Sequence, residues 1–357
     1  MDTIVLTGGG TAGHIVPNIA LAPLLKSNFE LHYIGRPGSM EEELIKKDCP
    51  YIVFHPLECV KLERRLTLKN LAVPFRLLAS KKKARTLLEK IKPSVIFSKG
   101  GFAALPVMLA AGKIPLILHE SDYTMGLANR MAAGKCAYVC TSFADLSHKT
   151  KHGICTGAPL RKSIYDGNKR LAETESGLRG RENLLIMGGS SGAQAINKAV
   201  YAALDELVRQ FNVVHITGKN HIVPASHPNY FQIPFTNRIG DYLAWADFCV
   251  TRGGANALFE LVALSVPSLV IPLPKGVSRG DQVDNARYFE RLGCVRVLPQ
   301  HRLNDTNAVS PLPDALERLR ESRSTLRDAC RTAQSIDGTK QIAELIKKTA
   351  RTYKGTP

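Results

Sequence analysis

Short apolar runs of β type alternate with helical patterns along almost the whole chain. Strands are predicted near residues 3–7, 30–34, 51–54, 94–98, 115–118, 137–142, 183–187, 212–217, 230–234, 247–251, 268–272 and 294–298. Strands that are apolar throughout and separated by helices indicate parallel sheets covered on both faces. The alternation therefore predicts an α/β fold.

The alternation is interrupted once, where residues 153–157 lead into Ala158-Pro159-Leu160-Arg161, and it then restarts. A chain of 357 residues is also too long for one ordinary core. We predict two doubly wound, Rossmann-like domains, over residues 1–160 and 161–338, facing across a cleft. A last helix over 339–354 is predicted to pack back onto the first domain. Ligands of open α/β sheets bind beyond the carboxyl ends of the strands, so the cleft is the expected active site.

The first strand runs directly into a glycine loop, Gly8-Gly9-Gly10-Thr11-Ala12-Gly13-His14, and a helical pattern follows. Backbone N–H groups and the positive end of a helix dipole make such a loop a cradle for an anion. The loop matches the dinucleotide fingerprint G-x-G-x-x-G, which also expects an acidic residue at the end of the second strand. That strand ends in residues 35–38, Gly-Arg-Pro-Gly, which argues against a nicotinamide or flavin cofactor. We interpret the loop as a substrate anion site, with a simple tight turn as the structural alternative.

Three further glycine loops follow predicted strands, over residues 98–102, 187–193 and 251–256, and the last opens a helix that carries Glu260. Glycine at a strand-to-helix turn lets a ligand approach the backbone closely. Four such turns suggest phosphates bound on both sides of one cleft. The sequence has no G-K-[ST] loop and no D-x-D motif, so we expect helix ends and basic side chains, and no metal or other cofactor, to meet a diphosphate charge.

The composition favours an anionic partner. The formal net charge is +17, from 48 basic and 31 acidic residues. Nucleic acid is not the expected partner, because the sequence has no zinc-finger spacing or RNP-type aromatic motif. The eight cysteines lack a metal-site spacing and are expected to be free thiols in a reducing cytosol. No signal peptide or membrane-spanning run is expected.

Residues 61–92 combine many basic residues with apolar ones. The basic residues are Lys61, Arg64, Arg65, Lys69, Arg76, Lys81, Lys82, Lys83, Arg85, Lys90 and Lys92. The apolar residues between them are Leu66, Leu68, Leu71, Val73, Phe75, Leu77 and Leu78. An apolar patch ringed by basic residues is typical of a protein that lies on an anionic leaflet without spanning it. The alternative is a solvated basic helix whose apolar side belongs to the core.

Several motifs resemble the MurG family of peptidoglycan N-acetylglucosaminyltransferases. Residues 7–14, 98–101, 119–122 and 125–130 resemble its amino-terminal half, and residues 188–193, 252–260 and 280–286 resemble its carboxy-terminal half. The motifs occur in family order over roughly residues 3–290. The resemblance implies a GT-B fold and an inverting glycosyltransferase. It would transfer GlcNAc from UDP-GlcNAc to O4 of MurNAc in undecaprenyl-diphospho-MurNAc-pentapeptide (lipid I), giving lipid II.

The resemblance also implies where the protein works. It implies a peripheral protein on the cytoplasmic face of the bacterial cell membrane, with residues 61–92 on the anionic membrane surface. Its partners would be UDP-GlcNAc, lipid I and other cell-wall synthesis proteins. Its role would lie in peptidoglycan synthesis, and through it in cell shape and cell division.

Residue by residue, the resemblance places the donor in the second half. Ser190 would contact the diphosphate or uridine, Arg161 would reach the nucleotide, and Ile239 would meet uracil through its backbone. Glu260 would bind the ribose hydroxyls, while Gln282 and Asn285 would hold the GlcNAc hydroxyls. The helix start is lined by Ala255, Asn256, Ala257, Leu258 and Phe259.

The first half would hold the acceptor. Residues around the lipid diphosphate and the attacking hydroxyl would be Thr11, Ala12, Gly13, Gly100 and Asn129. A general base must take the proton of that hydroxyl, and His14, Glu120 and Asp122 are the three candidates. Many family members have Gln-Asn at positions 121 and 122, so a carboxylate at Asp122 could act as base or orient His14. The structural alternatives are a loop-capping His14 and a buried, hydrogen-bonded Glu120.

Other functions remain open on the residues alone. UDP-sugar epimerases and other GT-B transferases share paired glycine loops and a ribose-binding glutamate. A non-enzymatic protein that binds membranes or nucleic acid would explain the charge, but not the four glycine loops. A dehydrogenase would require a dinucleotide, for which the acidic residue is missing.

Overall fold

The computed structural model describes residues 2–59, 73–189, 192–218, 222–223, 227–276, 280–304 and 311–353. The chain forms two compact units. Unit 1 comprises Met1–Arg161 and Asp337–Pro357, and unit 2 comprises Lys162–Ile336.

Unit 1 is built on a sheet of seven parallel strands in the order β3-β2-β1-β4-β5-β6-β7. The strands are β1 (Asp2–Thr7), β2 (Phe29–Gly35), β3 (Val53–Pro56), β4 (Val95–Ser98), β5 (Leu116–Glu120), β6 (Tyr138–Thr141) and β7 (Gly153–Cys155). In the register of the sheet, Leu6 of β1 lies between Tyr33 of β2 and Phe97 of β4. All three side chains are fully buried, which explains why these strands are apolar throughout.

Helices cover this sheet. The first six of the chain are α1 (Ala12–Leu25), α2 (Met40–Asp48), α3 (Val73–Ile91), α4 (Leu105–Ala110), α5 (Leu127–Ala132) and α6 (Ala144–His148). None of the helices within the described residues is both long and apolar enough to cross a membrane. The first part of the basic and apolar segment, residues 61–72, lies outside the described residues, and the remainder lies in α3 and the residue after it, Lys92.

Unit 2 repeats the design with six parallel strands in the order β10-β9-β8-β11-β12-β13. The strands are β8 (Glu182–Met187), β9 (Phe211–Ile216), β10 (Tyr230–Ile233), β11 (Phe248–Thr251), β12 (Ser268–Val270) and β13 (Val295–Val297). The helices are α7 (Lys162–Tyr165), α8 (Lys169–Ser176), α9 (Gln194–Ala202), α10 (Leu204–Gln210), α11 (Ile239–Trp245), α12 (Ala255–Ala263), α13 (Asp281–Arg291), α14 (Pro311–Glu321) and α15 (Arg323–Thr332).

The last helix, α16 (Thr339–Thr352), belongs to unit 1. It contacts α1, and its Ile342 and Ile346 are fully buried in the same core as Leu21 and Leu25 of α1. Its start is fixed by Thr339, whose hydroxyl accepts a hydrogen bond from the backbone N–H of Leu160 at 2.8 Å. The chain therefore returns to its first core after completing unit 2.

The structure has a strand, β7, at the start of the segment where the sequence pattern predicts a break. This strand has three residues, begins with glycine and pairs only with β6 at the edge of the sheet. A run that short carries no measurable periodicity, so its pairing is decided by the neighbouring strand rather than by its own sequence.

Candidate active site

Both sheets place two glycine loops side by side, because the strand order reverses between β1 and β4 in unit 1 and between β8 and β11 in unit 2. In unit 1 the backbone N–H of Lys99 donates to the carbonyl oxygen of Thr7 at 2.9 Å, which joins the loops after β4 and β1. Gly101 has a φ of +86°, and a Cβ atom placed on it would lie 2.3 Å from the Gly9 carbonyl oxygen. The approach of these two loops therefore requires glycine.

His14 lies in the first turn of α1, at the end of the glycine loop. Its Nδ1 lies 3.0 Å from the hydroxyl of Thr11, and its ring packs against Gly101, whose Cβ position is 3.1 Å from the same nitrogen. Asn18, one turn later and fully buried, donates to the carbonyl oxygens of His14 and Thr7. The imidazole is thus oriented by the loop and the helix start together.

Glu120 organises the turn that follows β5. One carboxylate oxygen accepts the backbone N–H of Asp122 at 3.1 Å, and the other accepts the N–H of Gly126 and the side-chain amide of Asn129, both at 2.9 Å. The Asn129 side chain also reaches Gly100, where a Cβ atom would lie 2.4 Å from its Oδ1. The structure thus brings these four predicted site residues to one end of the sheet, and Glu120 has the buried, hydrogen-bonded character of its structural alternative.

The sequence motif at residues 98–101 predicts no role for Lys99, yet its side chain is buried here, with 1% exposure. Its Nζ lies 2.7 Å from His119 Nδ1 and also donates to the hydroxyl of Ser121. His119 Nε2 donates to the carbonyl oxygen of Gly157 at 2.9 Å, so Nδ1 is the acceptor and the ring is neutral. Burial, together with the charge of Lys99, holds the pKa of His119 well below its usual range.

In unit 2 the loop after β8 is closed by glycines. Gly192 has a φ of +79° and donates its N–H to the carbonyl oxygen of Gly189 at 2.8 Å. A Cβ atom on Gly188 would lie 2.7 Å from the carbonyl carbon of Gly192. The tight loop leads directly into α9, and Ser190, predicted to contact the donor, lies outside the described residues.

The loop after β11 meets the start of α13. A Cβ atom on Gly253 would lie 2.3 Å from the carbonyl oxygen of Gln282, and the side-chain amide of Asn285 donates to the Gly253 carbonyl oxygen at 3.1 Å. The amide oxygen of Gln282 accepts the backbone N–H of Leu273 at 3.0 Å. Two of the predicted sugar-binding residues therefore lie beside the start of α12, where backbone N–H groups point out of the helix.

The remaining predicted donor residues differ in what they can offer. Leu258 and Phe259 have fully buried side chains, and Phe259 packs edge-to-face on Phe289, so any ligand contact by these two would have to come from the backbone. At the helix start Ala255 is buried and Asn256 and Ala257 are half-buried. Glu260 follows one turn later and is buried, with 9% exposure. Ile239 begins α11 in unit 2, and Arg161 is the last residue of the first segment of unit 1.

Arg252, immediately after β11, is a second buried cation that the sequence reasoning did not assign. It is 7% exposed and donates to the carbonyl oxygen of Ile271 at 3.0 Å and to the side chain of Gln300 at 2.7 Å. Burial lowers its pKa, but a guanidinium stays charged at any pH where the protein is folded. A Lys or Arg followed by two glycines after a strand occurs in both halves of the sequence. This shared pattern could have drawn attention to both positions, but not to the burial of their side chains.

Within the described ranges, no group of three or more His, Cys, Asp or Glu side chains is arranged to hold a metal ion. We call the carboxyl ends of the two sheets, where the glycine loops lie, the glycine-lined edges. They present helix starts, backbone N–H groups, two buried cations and a loop histidine. Such groups bind phosphorylated ligands and can move one proton.

Comparison with known proteins identifies the family. Residues 4–141 match the glycosyltransferase family 28 N-terminal domain, and residues 183–347 match the family 28 C-terminal domain. The chain is similar to the crystal structure of Acinetobacter baumannii MurG, with a TM-score of 0.72, 23% identity and coverage of 98% of this chain and 100% of that one. It is also similar to UDP-GlcNAc 2-epimerase from Neisseria meningitidis bound to UDP-GlcNAc, with a TM-score of 0.67, 13% identity and coverage of 98% and 100%. These likenesses confirm the predicted GT-B fold class.

Two relatives are similar over their full lengths. Both carry the name UDP-N-acetylglucosamine--N-acetylmuramyl-(pentapeptide) pyrophosphoryl-undecaprenol N-acetylglucosamine transferase. The one from Clostridium botulinum (strain Kyoto / Type A2) is 40% identical over 357 residues, covering 98% of this chain and 99% of the relative. The one from Lachnoclostridium phytofermentans is 40% identical over 358 residues with the same coverage. The chain therefore belongs to the MurG family of N-acetylglucosamine transferases, within glycosyltransferase family 28.

Proposed function

We propose that this protein transfers GlcNAc from UDP-GlcNAc to O4 of the MurNAc sugar of lipid I, with inversion, and so makes lipid II for peptidoglycan synthesis. The observation that carries the proposal is the pair of glycine-lined edges, one in each unit, in a chain whose 40% identical relatives are named for this reaction. Two phosphorylated substrates need two anion sites, and the glycine loops of each unit support one such site in each.

Unit 2 is the proposed donor site. The backbone N–H groups at the starts of α9, α12 and α13 face the UDP diphosphate, and their partial positive charge stabilises it as it leaves. Glu260 accepts hydrogen bonds from the ribose hydroxyls. Gln282 holds the hydroxyls of GlcNAc, and Asn285, which is fully buried behind it and bonded to the Gly253 carbonyl oxygen, supports the site. The roles of Arg161, Ser190 and Ile239 stay as the family resemblance implies.

Unit 1 is the proposed acceptor site, and His14 is the general base that we favour. Its Nδ1 is directed at Thr11, so Nε2 is the nitrogen that would take the proton from the O4 hydroxyl. The carboxylate of Glu120 accepts three hydrogen bonds from its own turn, so we assign it the task of shaping the acceptor site. Asp122, on that turn, then orients the substrate or the imidazole.

The exposed face of α3 supports a place at the membrane surface. Its Val73, Ala84 and Leu88 are buried, whereas Phe75 and Leu78 are 75% and 61% exposed. The exposed basic residues on the same helix are Arg76, Lys82, Lys83, Arg85 and Lys90. Apolar side chains among cations suit the anionic, cytoplasmic leaflet in which a lipid-linked diphosphate would be presented.

The deciding experiment is transfer of radiolabelled GlcNAc from UDP-GlcNAc to a short-chain lipid I analogue, with and without chelator. The expected product is a disaccharide with a β linkage, formed at the same rate in both samples. Release of free N-acetylmannosamine without a disaccharide would identify an epimerase instead. Loss of activity with chelator would overturn the assignment of diphosphate stabilisation to helix ends and basic side chains.

A further inference from the structure

Each unit carries a buried cation at the same place in its topology. Lys99 follows β4 and Arg252 follows β11, the strands that adjoin the first strand of each sheet, and two glycines follow each cation. They are the two buried Lys or Arg side chains of the described part of the chain, 1% and 7% exposed. Because a buried cation occurs at the same place in both units, we infer that it serves the ligand sites and is not a peculiarity of one loop.

The hydrogen bonds of these cations go to neutral groups. Lys99 Nζ bonds to the neutral ring of His119 and the hydroxyl of Ser121, and Arg252 bonds to a carbonyl oxygen and the Gln300 side chain. Burying a cation without a carboxylate in contact costs several kcal/mol. An anionic ligand bound nearby would offset that cost. The diphosphates of the two proposed substrates are such ligands.

We propose that Lys99 is the built-in counter-charge for the diphosphate of the acceptor, acting from its buried place between the loop after β1 and the turn after β5. The proposal rests on the proposed function, since it takes the acceptor as a lipid-linked diphosphate. Lys99 is a positioning residue, because its ammonium group is covered by protein and does not reach a ligand directly. Its hydrogen bond to Ser121 also holds the turn after β5, which is part of the proposed acceptor site.

The geometry places the stem of Lys99 beside the glycine loop and its charge at the end of β5. The Cβ atom of Lys99 lies 3.0 Å from the Cβ position of Gly8, so the lysine stem runs beside the first glycine of the cradle. Its backbone N–H is bonded to Thr7, and its Nζ reaches the end of β5. Backbone and side chain of this one residue thus connect the loop after β1, the loop after β4 and the turn after β5, and its charge acts through a medium of low dielectric constant.

The protonation of Lys99 makes the effect measurable. Burial lowers its pKa to about 8, although Glu120, Asp122 and the Cys140 thiol of β6 act in the opposite direction. The counter-charge is therefore present at neutral pH and disappears as the pH rises above 8. A polyprenyl diphosphate has already lost its last phosphate proton at pH 8, so the pH dependence of its binding above pH 8 reports on the protein.

The test compares wild type, Lys99→Met and a matched control, Lys113→Met, which removes an exposed lysine from the same unit. The readouts are the KM for the lipid I analogue and inhibition by a short polyprenyl diphosphate and the matching monophosphate. We expect Lys99→Met to raise the KM roughly tenfold or more and to lose preference for the diphosphate, with UDP affinity within about twofold of wild type. Lys113→Met should behave as wild type.

The pH series separates an electrostatic role from a purely structural one. Wild type should bind the polyprenyl diphosphate progressively more weakly above pH 8, and Lys99→Met should show no such weakening. An unchanged KM and an unchanged pH series in Lys99→Met would overturn the proposal. If the variant does not fold, the wild-type series decides, because a flat series is incompatible with a titrating counter-charge. Absence of transfer by wild type would instead reject the proposed function.

Discussion

Gly101 lies so close to Gly9 that a Cβ atom on Gly101 would come within 2.3 Å of the Gly9 carbonyl oxygen. This contact joins the two glycine loops of unit 1 and supports one side of the His14 ring. We predict that Gly101→Ala lowers transfer at least about tenfold, because φ is +86° and the loops must separate. Circular dichroism and an acceptor titration would show whether the loss lies in the acceptor site.

Two glycines of the same unit serve as controls. Gly38 has a φ of +60° with nothing within 4 Å of its Cβ position, so Gly38→Ala measures the cost of the backbone conformation alone. Gly134 has open space and no such φ, and Gly134→Ala should be neutral. If Gly38→Ala lost as much transfer activity as Gly101→Ala, the loop contact would not be the cause.

The donor edge contains a pair of adjacent glycines that differ in space. A Cβ atom on Gly253 would lie 2.3 Å from the carbonyl oxygen of Gln282, whereas nothing lies within 4 Å of the Cβ position of Gly254. We predict that Gly253→Ala displaces the start of α13, weakens UDP-GlcNAc binding at least about tenfold and lowers the unfolding midpoint. Gly254→Ala should keep the midpoint of wild type. Calorimetric titration and urea unfolding of the two variants provide the comparison, and equal midpoints would contradict the prediction.

The strands and glycine loops could be predicted from sequence because both are local signals. Apolar runs indicate strands that are buried on both faces of a sheet. Glycine pairs indicate turns where a Cβ atom does not fit. The arrangement of side chains at the carboxyl edge could not be predicted. His119 meets Gly157 across 38 positions, and Glu120 is enclosed by its own turn, both of which depend on strand order and loop closure.

Lys99 shows the limit of residue-type reasoning. A lysine next to two glycines is normally solvated, and lysine is rarely buried without a carboxylate. Only the position of β4 between β1 and β5 reveals that the side chain is covered. The deep burial of Leu258 and Phe259 could not be predicted from the sequence either. The motif that contains them indicates where the helix starts, but not which face of the helix packs against the core.

His14 is expected to act in the chemical step. We predict that His14→Ala lowers turnover by roughly 100- to 10,000-fold while UDP binding stays within about twofold of wild type. Thr11→Val, which removes the hydroxyl 3.0 Å from Nδ1, should lower turnover by a smaller factor and alter the pH dependence of turnover. Single-turnover kinetics and UDP titration distinguish the steps. Equal loss of UDP binding in His14→Ala would overturn the assignment of donor and acceptor to separate units.

Lys99 should also leave a signature in stability. Its pKa is about 8 in the folded protein and near 10.5 when unfolded, so the unfolded chain binds more protons between these pH values. The free energy of unfolding of wild type should therefore rise with pH across this window, by at most about 3 kcal/mol from this group. Lys99→Met lacks that contribution, so its free energy of unfolding should fall further below that of wild type as the pH rises from 8. Urea unfolding at several pH values measures the difference, and a constant difference would contradict the low pKa.

The basic face of α3 is expected to hold the protein on anionic membranes. We predict that replacing Lys81, Lys82 and Lys83 with Glu lowers binding to phosphatidylglycerol vesicles by roughly 100-fold or more, since each basic residue near the surface contributes about 1 kcal/mol. A control that reverses the exposed Arg170, Lys198 and Lys340 changes the net charge equally and should bind nearly as wild type. Vesicle sedimentation at low and high salt measures both variants. If both variants lost binding equally, net charge alone would explain the binding. If the α3 variant bound like wild type, α3 would not be the surface that contacts the membrane.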